Sequence, residues 1–216
     1  MSDPDDLWHP VALSTAVPAG VTRAVILDGQ EIVLWRGADG ATHAWEDRCP
    51  HRGMRLSYGF VRGSALNCLY HGWEYEGSSR CVRIPAHPDL DVPKTIKARS
   101  YALVEAGGLV WINLAGDAAP AAPSIDAGAP LISVAVDRPI ADLRAFLRAT
   151  STYPAVIRED IFDGVALLLT LHPVGPAKTM LHALTIGGSD LPAARRSYAA
   201  AVRGLRDEAE TVAKVA

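Results

Sequence analysis

Cys49-Pro50-His51 and Cys68-Leu69-Tyr70-His71 are two short segments of this sequence, and each pairs one thiol with one imidazole. Sixteen residues separate them, so four of the chain's ten Cys and His residues fall within 23 positions. A Cys-x-His and a Cys-x₂-His on facing loops can hold the two irons of a cluster, with thiolates on one iron and imidazoles on the other. The spacing therefore predicts a metal site with Cys49, His51, Cys68 and His71 as ligands.

Zinc is the alternative metal for such a set of four ligands. A zinc finger usually places two Cys on one arm and two His on the other. Each arm here carries one of each. The mixed arms therefore favour a [2Fe–2S] cluster, with zinc as the competing interpretation.

The wider sequence around these ligands supports the cluster. Cys49–Gly53 and Cys68–Trp73 resemble the Rieske [2Fe–2S] motif of ring-hydroxylating oxygenase large subunits. The resemblance extends over about residues 8–114 and includes three flanking segments, Trp45–Arg48, Ile84–Ala86 and Gly108–Ile112. Met54 and Tyr70 stand where respiratory Rieske proteins carry extra cysteines, so the chain is similar to the soluble oxygenase branch.

The resemblance implies that Cys49 and Cys68 bind one iron and that His51 and His71 bind the other. Two ferric ions, two sulfides and two thiolates carry no net charge, which places the potential within about −150 to +300 mV. Trp73 stands where respiratory relatives have a hydroxyl bonded to cluster sulfur, so we expect the low end of that range. The imidazole nitrogens not bound to iron are expected to face solvent or a partner.

Turn signals predict β-structure around the two metal-binding segments. Asp28-Gly29 lies between β-prone residues and is typical of a two-residue hairpin. A second hairpin is expected at Tyr101–Asn113. With the resemblance, these signals indicate a mainly β fold, in which residues 1–114 form a Rieske-type β-sandwich with cluster-binding loops.

The rest of the chain predicts a smaller α+β part. Residues 115–130 are rich in Ala and Pro and are interpreted as a linker. Residues 131–216 are predicted to form a short antiparallel sheet covered by a C-terminal helix, since apolar residues from Tyr198 to Val212 recur at helical spacing. The predicted strands are Arg144–Thr152, Gly164–His172 and Lys178–Gly187. The end of this part weakly resembles the last strands and helix of a helix-grip catalytic domain.

In the oxygenase family that domain holds a mononuclear iron with two His and one carboxylate. In the sequence, this iron site is marked by a His-x₃₋₄-His pair. After the linker the only histidines are His172 and His182, with nine residues between them. The 86 residues from 131 to 216 are also too few for the complete catalytic half. We therefore expect no mononuclear iron in this chain.

Composition excludes several classes of partner. There are 21 Lys and Arg against 24 Asp and Glu, giving a net charge of −3, so no basic surface for nucleic acid is expected. No apolar stretch approaches the roughly 18–20 residues that span a bilayer. The acidic N-terminus shows no signal peptide. We expect a cytoplasmic protein without nucleic-acid or membrane partners.

The resemblance implies an electron-transfer subunit that belongs to a homo- or hetero-oligomer. Single electrons would come from a reductase or ferredoxin and pass to mononuclear iron on a partner oxygenase subunit. One alternative is an autonomous oxygenase with an atypical iron site, built from His172, His182 and either Asp160 or Asp163. The other alternative is a redox-sensing or structural subunit.

Overall fold

The computed structural model describes residues 7–115, 121, 128–149, 155–162, 165–186 and 192–213. The described residues 7–113 form ten strands: Trp8–Leu13 (β1), Thr22–Leu27 (β2), Gln30–Arg36 (β3), Thr42–Glu46 (β4), Phe60–Arg62 (β5), Ala65–Asn67 (β6), Glu74–Glu76 (β7), Cys81–Arg83 (β8), Ala102–Ala106 (β9) and Leu109–Asn113 (β10). They make three antiparallel sheets with the orders β1-β10-β9, β2-β3-β4 and β5-β6-β7-β8. The predicted mainly β fold is confirmed.

Both predicted hairpins are present, and their turns explain why. Asp28 and Gly29 join β2 to β3 with φ of 46° and 79°, and Gly107 and Gly108 join β9 to β10 with φ of 62° and 85°. Two consecutive positive φ values are the mark of a type I′ turn, which matches the twist of antiparallel strands.

The C-terminal part is a four-stranded antiparallel sheet with two helices. Its elements are Gly128–Val136 (β11), Ile140–Phe146 (α1), Ala155–Phe162 (β12), Val165–Gly175 (β13), Lys178–Ile186 (β14) and Pro192–Ala213 (α2). The strand order is β11-β14-β13-β12. The sheet and its terminal helix agree with the prediction.

One detail of that prediction is wrong. Arg144–Thr152 does not begin as a strand, because residues 140–146 are helical and Leu143 and Leu147 bury their side chains against the sheet. β11 starts at Gly128, within the segment that the sequence suggests is a linker. Pro130 is tolerated there because β11 is an edge strand with an irregular register beside it. Residues 116–120 and 122–127 lie outside the described residues, so the division at 114 and 131 stays a prediction.

The two faces of the C-terminal sheet pack against different parts of the chain. One face packs on α1 and α2 through a core that includes Leu169, Leu181 and Val202. On the other face Leu168 and Leu184 form a buried cluster with residues of the N-terminal sheets. The main-chain amides of Asp28 and Gly29 also donate to the carbonyls of Pro173 and Val174, at 2.8 and 2.9 Å. The N-terminal sheets therefore dock firmly on the face opposite the helices.

Across the described ranges, no helix combines the length and the apolarity needed to cross a membrane.

Candidate metal centre

Two loops of the same construction carry the four predicted ligands. The amide of Cys49 donates to the carbonyl of Met54, and the amide of Gly53 donates back to Cys49, both at 2.8 Å. The second loop repeats this pattern, as Cys68 donates to Trp73 at 2.9 Å and Gly72 donates to Cys68 at 3.0 Å.

A glycine closes each loop for a backbone reason. Gly53 and Gly72 have φ of 73° and 68°, a region that other residues adopt only with strain. A Cβ on Gly72 would also lie 3.1 Å from the ring of Pro85. The Gly that follows each ligand pair in sequence is thus part of the loop geometry.

The two thiols lie together in the interior. Cys49 and Cys68 are 3 % and 2 % exposed and belong to the core that contains Trp45 and Tyr75. Burial raises the pKa of the Cys68 thiol, and the adjacent Cys49 raises it further. Two buried thiols in contact cannot both ionise readily without a cation between them. This pair therefore fits a site in which both thiolates bind metal.

The two imidazoles lie together at the surface. The ring centroids of His51 and His71 are 4.7 Å apart. His51 is half-buried because it stacks on Trp73, with centroids 4.2 Å apart and planes 5° from parallel, whereas His71 is exposed. Burial lowers the pKa of His51, and the neighbouring His71 and Arg52 lower it further. The centre thus has a buried sulfur side and an accessible nitrogen side.

The donor set fits a two-iron cluster better than one metal ion. Within the described residues, no three His, Cys, Asp or Glu side chains lie close enough to hold a single ion. Cys49, His51, Cys68 and His71 instead form one thiol pair and one imidazole pair. Mixed Cys₂His₂ ligation of a [2Fe–2S] centre requires this separation into pairs.

Tyr75 is a residue of the centre that the sequence analysis missed. Its hydroxyl lies 3.1 Å from Sγ of Cys49, and its side chain is fully buried. Burial raises the pKa of Tyr75 well above its usual value, and Cys49 contributes to the shift. The hydroxyl therefore stays protonated and can donate to a Cys49 thiolate. From Trp73 alone the sequence predicts few hydrogen-bond donors to the sulfur atoms of the centre. Tyr75, two residues further along the chain, supplies one hydrogen-bond donor to Sγ of Cys49.

A basic groove borders the first loop. It has a volume of about 430 Å³ and is lined by Arg48, Arg52, Lys97 and Arg99 beside Cys49 and His51. Glu46 is the one carboxylate among the lining residues. Leu69 and Tyr70 of the second loop are 58 % and 55 % exposed. Exposed apolar side chains next to unpaired cations are typical of a docking surface.

The structure brings His172 and His182 together, but on the face of the sheet that meets the N-terminal sheets. Nδ1 of His172 lies 3.1 Å from Nε2 of His182 and 2.8 Å from the carbonyl of Pro10. Ser133 lies 2.7 Å from the other nitrogen of His182. The side chain of Asp160 and all of Asp163 lie outside the described residues. In the part that is described, no third ligand completes a metal site with the two histidines.

Comparison with known families agrees with this geometry. Residues 7–97 match the family described as Rieske [2Fe–2S] domain. The chain carries a Rieske [2Fe–2S] domain. The matched residues contain both loops, so the predicted [2Fe–2S] cofactor is confirmed at the level of the domain.

Curated relatives match about half of this chain. Oxidoreductase NdmD of Pseudomonas putida is 40% identical over 108 residues, which are 50% of this chain and 18% of NdmD. The 4beta-methylsterol monooxygenase of Methylococcus capsulatus is 38% identical over 131 residues, which are 59% of this chain and 33% of that protein. The chain thus spans a third or less of the length of these relatives.

Solved structures extend the likeness to the C-terminal part. The crystal structure of apo dicamba monooxygenase matches with a TM-score of 0.75 and 20% identity, over 98% of this chain and 87% of that one. NdmA of Pseudomonas putida matches with a TM-score of 0.70 and 21% identity, over 95% and 81% of the two chains. At this identity the likeness is one of fold. The chain resembles oxygenase large subunits, as its motifs indicated.

Proposed function

We propose that this chain is the electron-transfer subunit of a Rieske-type oxygenase system. It accepts single electrons from a reductase or ferredoxin and passes them to mononuclear iron on a partner subunit. Cys49 and Cys68 hold one iron of the cluster, and His51 and His71 hold the other. The observation that carries the proposal is the asymmetry of the centre, with buried thiols and surface imidazoles.

This asymmetry gives the electron a defined exit. The bound cluster supplies a one-electron couple, and the histidine-ligated iron is the easier one to reduce. His51 and His71 bring that iron to the surface, and Trp73 fixes the orientation of His51 by stacking. The thiol side is enclosed by Tyr75 and the surrounding core, which excludes water there.

The basic groove favours an acidic donor. Arg48, Arg52, Lys97 and Arg99 concentrate positive charge beside His51, although the whole chain carries a net charge of −3. Such local complementarity raises the association rate of an oppositely charged partner and makes it depend on ionic strength.

The donor half of the proposal is tested by stopped-flow reduction of the oxidised protein with a reduced, acidic plant-type [2Fe–2S] ferredoxin. We expect the second-order rate to fall with added salt and to drop about threefold in Arg52→Gln. Arg203→Gln is the matched control, because Arg203 is an exposed cation on α2. Equal rates for Arg52→Gln and the parent protein at low salt would show that the basic groove does not bind the donor.

The acceptor half is tested by iron and sulfide analysis of the purified protein together with EPR of its reduced form. Two irons and two sulfides per chain, with a low average g value, are expected. A third iron per chain with substrate turnover would overturn the proposal in favour of the autonomous oxygenase. A change of oligomeric state on reduction, without electron transfer to any oxygenase subunit, would favour the redox-sensing alternative.

A further inference from the structure

A cavity of about 250 Å³ lies between the N-terminal sheets and the C-terminal sheet. β1 and β2 form one wall, and β11, β13 and β14 form the other. Its lining contains none of the four cluster ligands, although Asp47 and Arg55 flank the first cluster-binding loop, and it lies on the face opposite α1 and α2. Interfaces of this kind, with mostly apolar walls and a few converging polar groups, are where small-molecule sites are usually found.

The wall is largely aliphatic. Val11, Val25, Val174 and Met180 line it together with three small alanine side chains. The volume of the cavity falls just below the range of roughly 300–1,000 Å³ that is typical of sites for drug-sized ligands. A single ring or a short chain therefore matches the space better than a nucleotide or a sterol.

Ser133 and the buried histidines form the polar end. Nδ1 of His172 lies 2.8 Å from the carbonyl of Pro10 and 3.1 Å from Nε2 of His182. The oxygen of Ser133 lies 2.7 Å from Nδ1 of His182. In the tautomer with the His182 proton on Nδ1, the Ser133 oxygen accepts that proton, and its own hydrogen can donate into the cavity.

Arg23 supplies a positive charge to the lining of the cavity. Burial lowers the pKa of His182, and the charges of His172 and Arg23 lower it further. Arg23 is exposed and makes no ion pair with any of the described residues.

The other charged residues of the cavity have partners already. Arg55 pairs with Glu31. Asp47 accepts from both the amide and the hydroxyl of Ser57 at 2.6 Å. Arg23 is therefore the one charged residue of this lining to which the described residues supply neither an ion pair nor a side-chain hydrogen bond.

We propose that this cavity binds a small organic carboxylate with an apolar body. Arg23 and the Ser133 hydroxyl hold the carboxylate, and the aliphatic wall holds the body. A guanidinium can bind both oxygens of a carboxylate, which makes this the preferred anion for a single Arg. The site goes beyond electron transfer, because neither Arg23 nor Ser133 lies in a cluster-binding loop.

The test is isothermal titration of the cluster-loaded protein with benzoate, and with the uncharged isostere benzamide. Benzoate is expected to bind saturably at one site per chain, and benzamide at least about tenfold more weakly, because hydrogen bonds to a charged group are the stronger ones. Arg23→Gln is expected to weaken benzoate binding about tenfold, and Ser133→Ala several-fold. Arg23 is exposed and forms no ion pair with the described residues, so Arg23→Gln is expected to leave the fold unchanged. Ser133→Ala removes the hydrogen-bond partner of the buried His182, so the visible spectrum of the cluster and urea unfolding check the fold of both variants.

Arg203→Gln is the matched control for charge and is expected to leave binding unchanged. The proposal is overturned if benzoate shows no saturable binding up to about 10 mM, if benzamide binds as well, or if Arg23→Gln and Arg203→Gln have equal effects. The binding titration needs no electron donor. A failure to bind benzoate can therefore be told apart from a failure of the proposed electron transfer, which is tested by reduction with a ferredoxin.

Discussion

Replacing Tyr75 with Phe removes one hydroxyl from the sulfur side of the cluster and leaves the ring in place. The hydroxyl lies 3.1 Å from Sγ of Cys49, and the ring is fully buried against Trp45 with centroids 6.3 Å apart. Phe fills the same space, so packing is expected to persist. The change therefore isolates one hydrogen bond to a cluster ligand.

The expected result is a lower reduction potential. Reduction adds negative charge to the cluster, so a donor to Sγ stabilises the reduced form more than the oxidised form. A hydrogen bond to a charged group contributes about 1.5–3 kcal/mol, of which about 1 kcal/mol is expected to differ between the two redox states. For a one-electron couple, with about 59 mV per tenfold change, this corresponds to a decrease of about 40 mV.

The measurement is a spectropotentiometric titration at neutral pH. Tyr101→Phe is the matched control, since Tyr101 is also buried and its hydroxyl faces Gln30 at 3.4 Å instead of the cluster. The control is expected to stay within a few millivolts of the parent. A potential in Tyr75→Phe that is unchanged or higher would refute the assignment of Tyr75 as a donor to Sγ.

Two predictions concern stability, and urea unfolding checks both. Burial lowers the pKa of His172 to about 4 from 6.5, so the unfolded chain binds more protons between these values. This shift alone is expected to lower the free energy of unfolding by about 2 kcal/mol as pH drops from 7.5 to 5, and the lowered pKa of His182 adds to the loss. The loss is expected to be clearly smaller in His172→Gln, and equal losses would contradict this. Gly108→Ala is expected to cost more than 2 kcal/mol, because φ is +85° and the new Cβ would lie 2.5 Å from the carbonyl of Gly128. Gly29→Ala is expected to cost only about 1 kcal/mol, because Gly29 has a similar φ of +79° but open space around it. If the two substitutions cost the same, the contact with the Gly128 carbonyl does not add to the cost at Gly108.

The two cluster-binding loops could be predicted from the sequence because the residues that form each loop are close together in the chain. A Cys, a His and a closing Gly within five residues specify a loop almost independently of the rest of the chain, as Cys49–Gly53 and Cys68–Gly72 show. The same is true of the hairpin turns at Asp28-Gly29 and Gly107-Gly108, where two positive φ values are needed. The helix α2 was predictable because its apolar stripe recurs over several turns.

Segments with weak periodicity were harder to predict. The sequence predicts a strand at Arg144–Thr152, yet the start of this segment belongs to α1, which forms because Leu143 and Leu147 bury their side chains against the sheet. Tyr75 was overlooked because nothing in its sequence neighbourhood shows that its hydroxyl reaches Cys49, 26 positions away. Both features depend on contacts between distant parts of the chain.

The sequence by itself therefore determined the kind of metal centre, since ligand identity and spacing are local properties of two short loops. The tertiary structure alone decided the surroundings of that centre and the position of the second histidine pair. His172 and His182 face the N-terminal sheets because the register of β13 and β14 puts them on the same side as Leu168 and Leu184. A shift of one residue in either strand would turn those side chains to the opposite face, and only the packed sheet fixes that register.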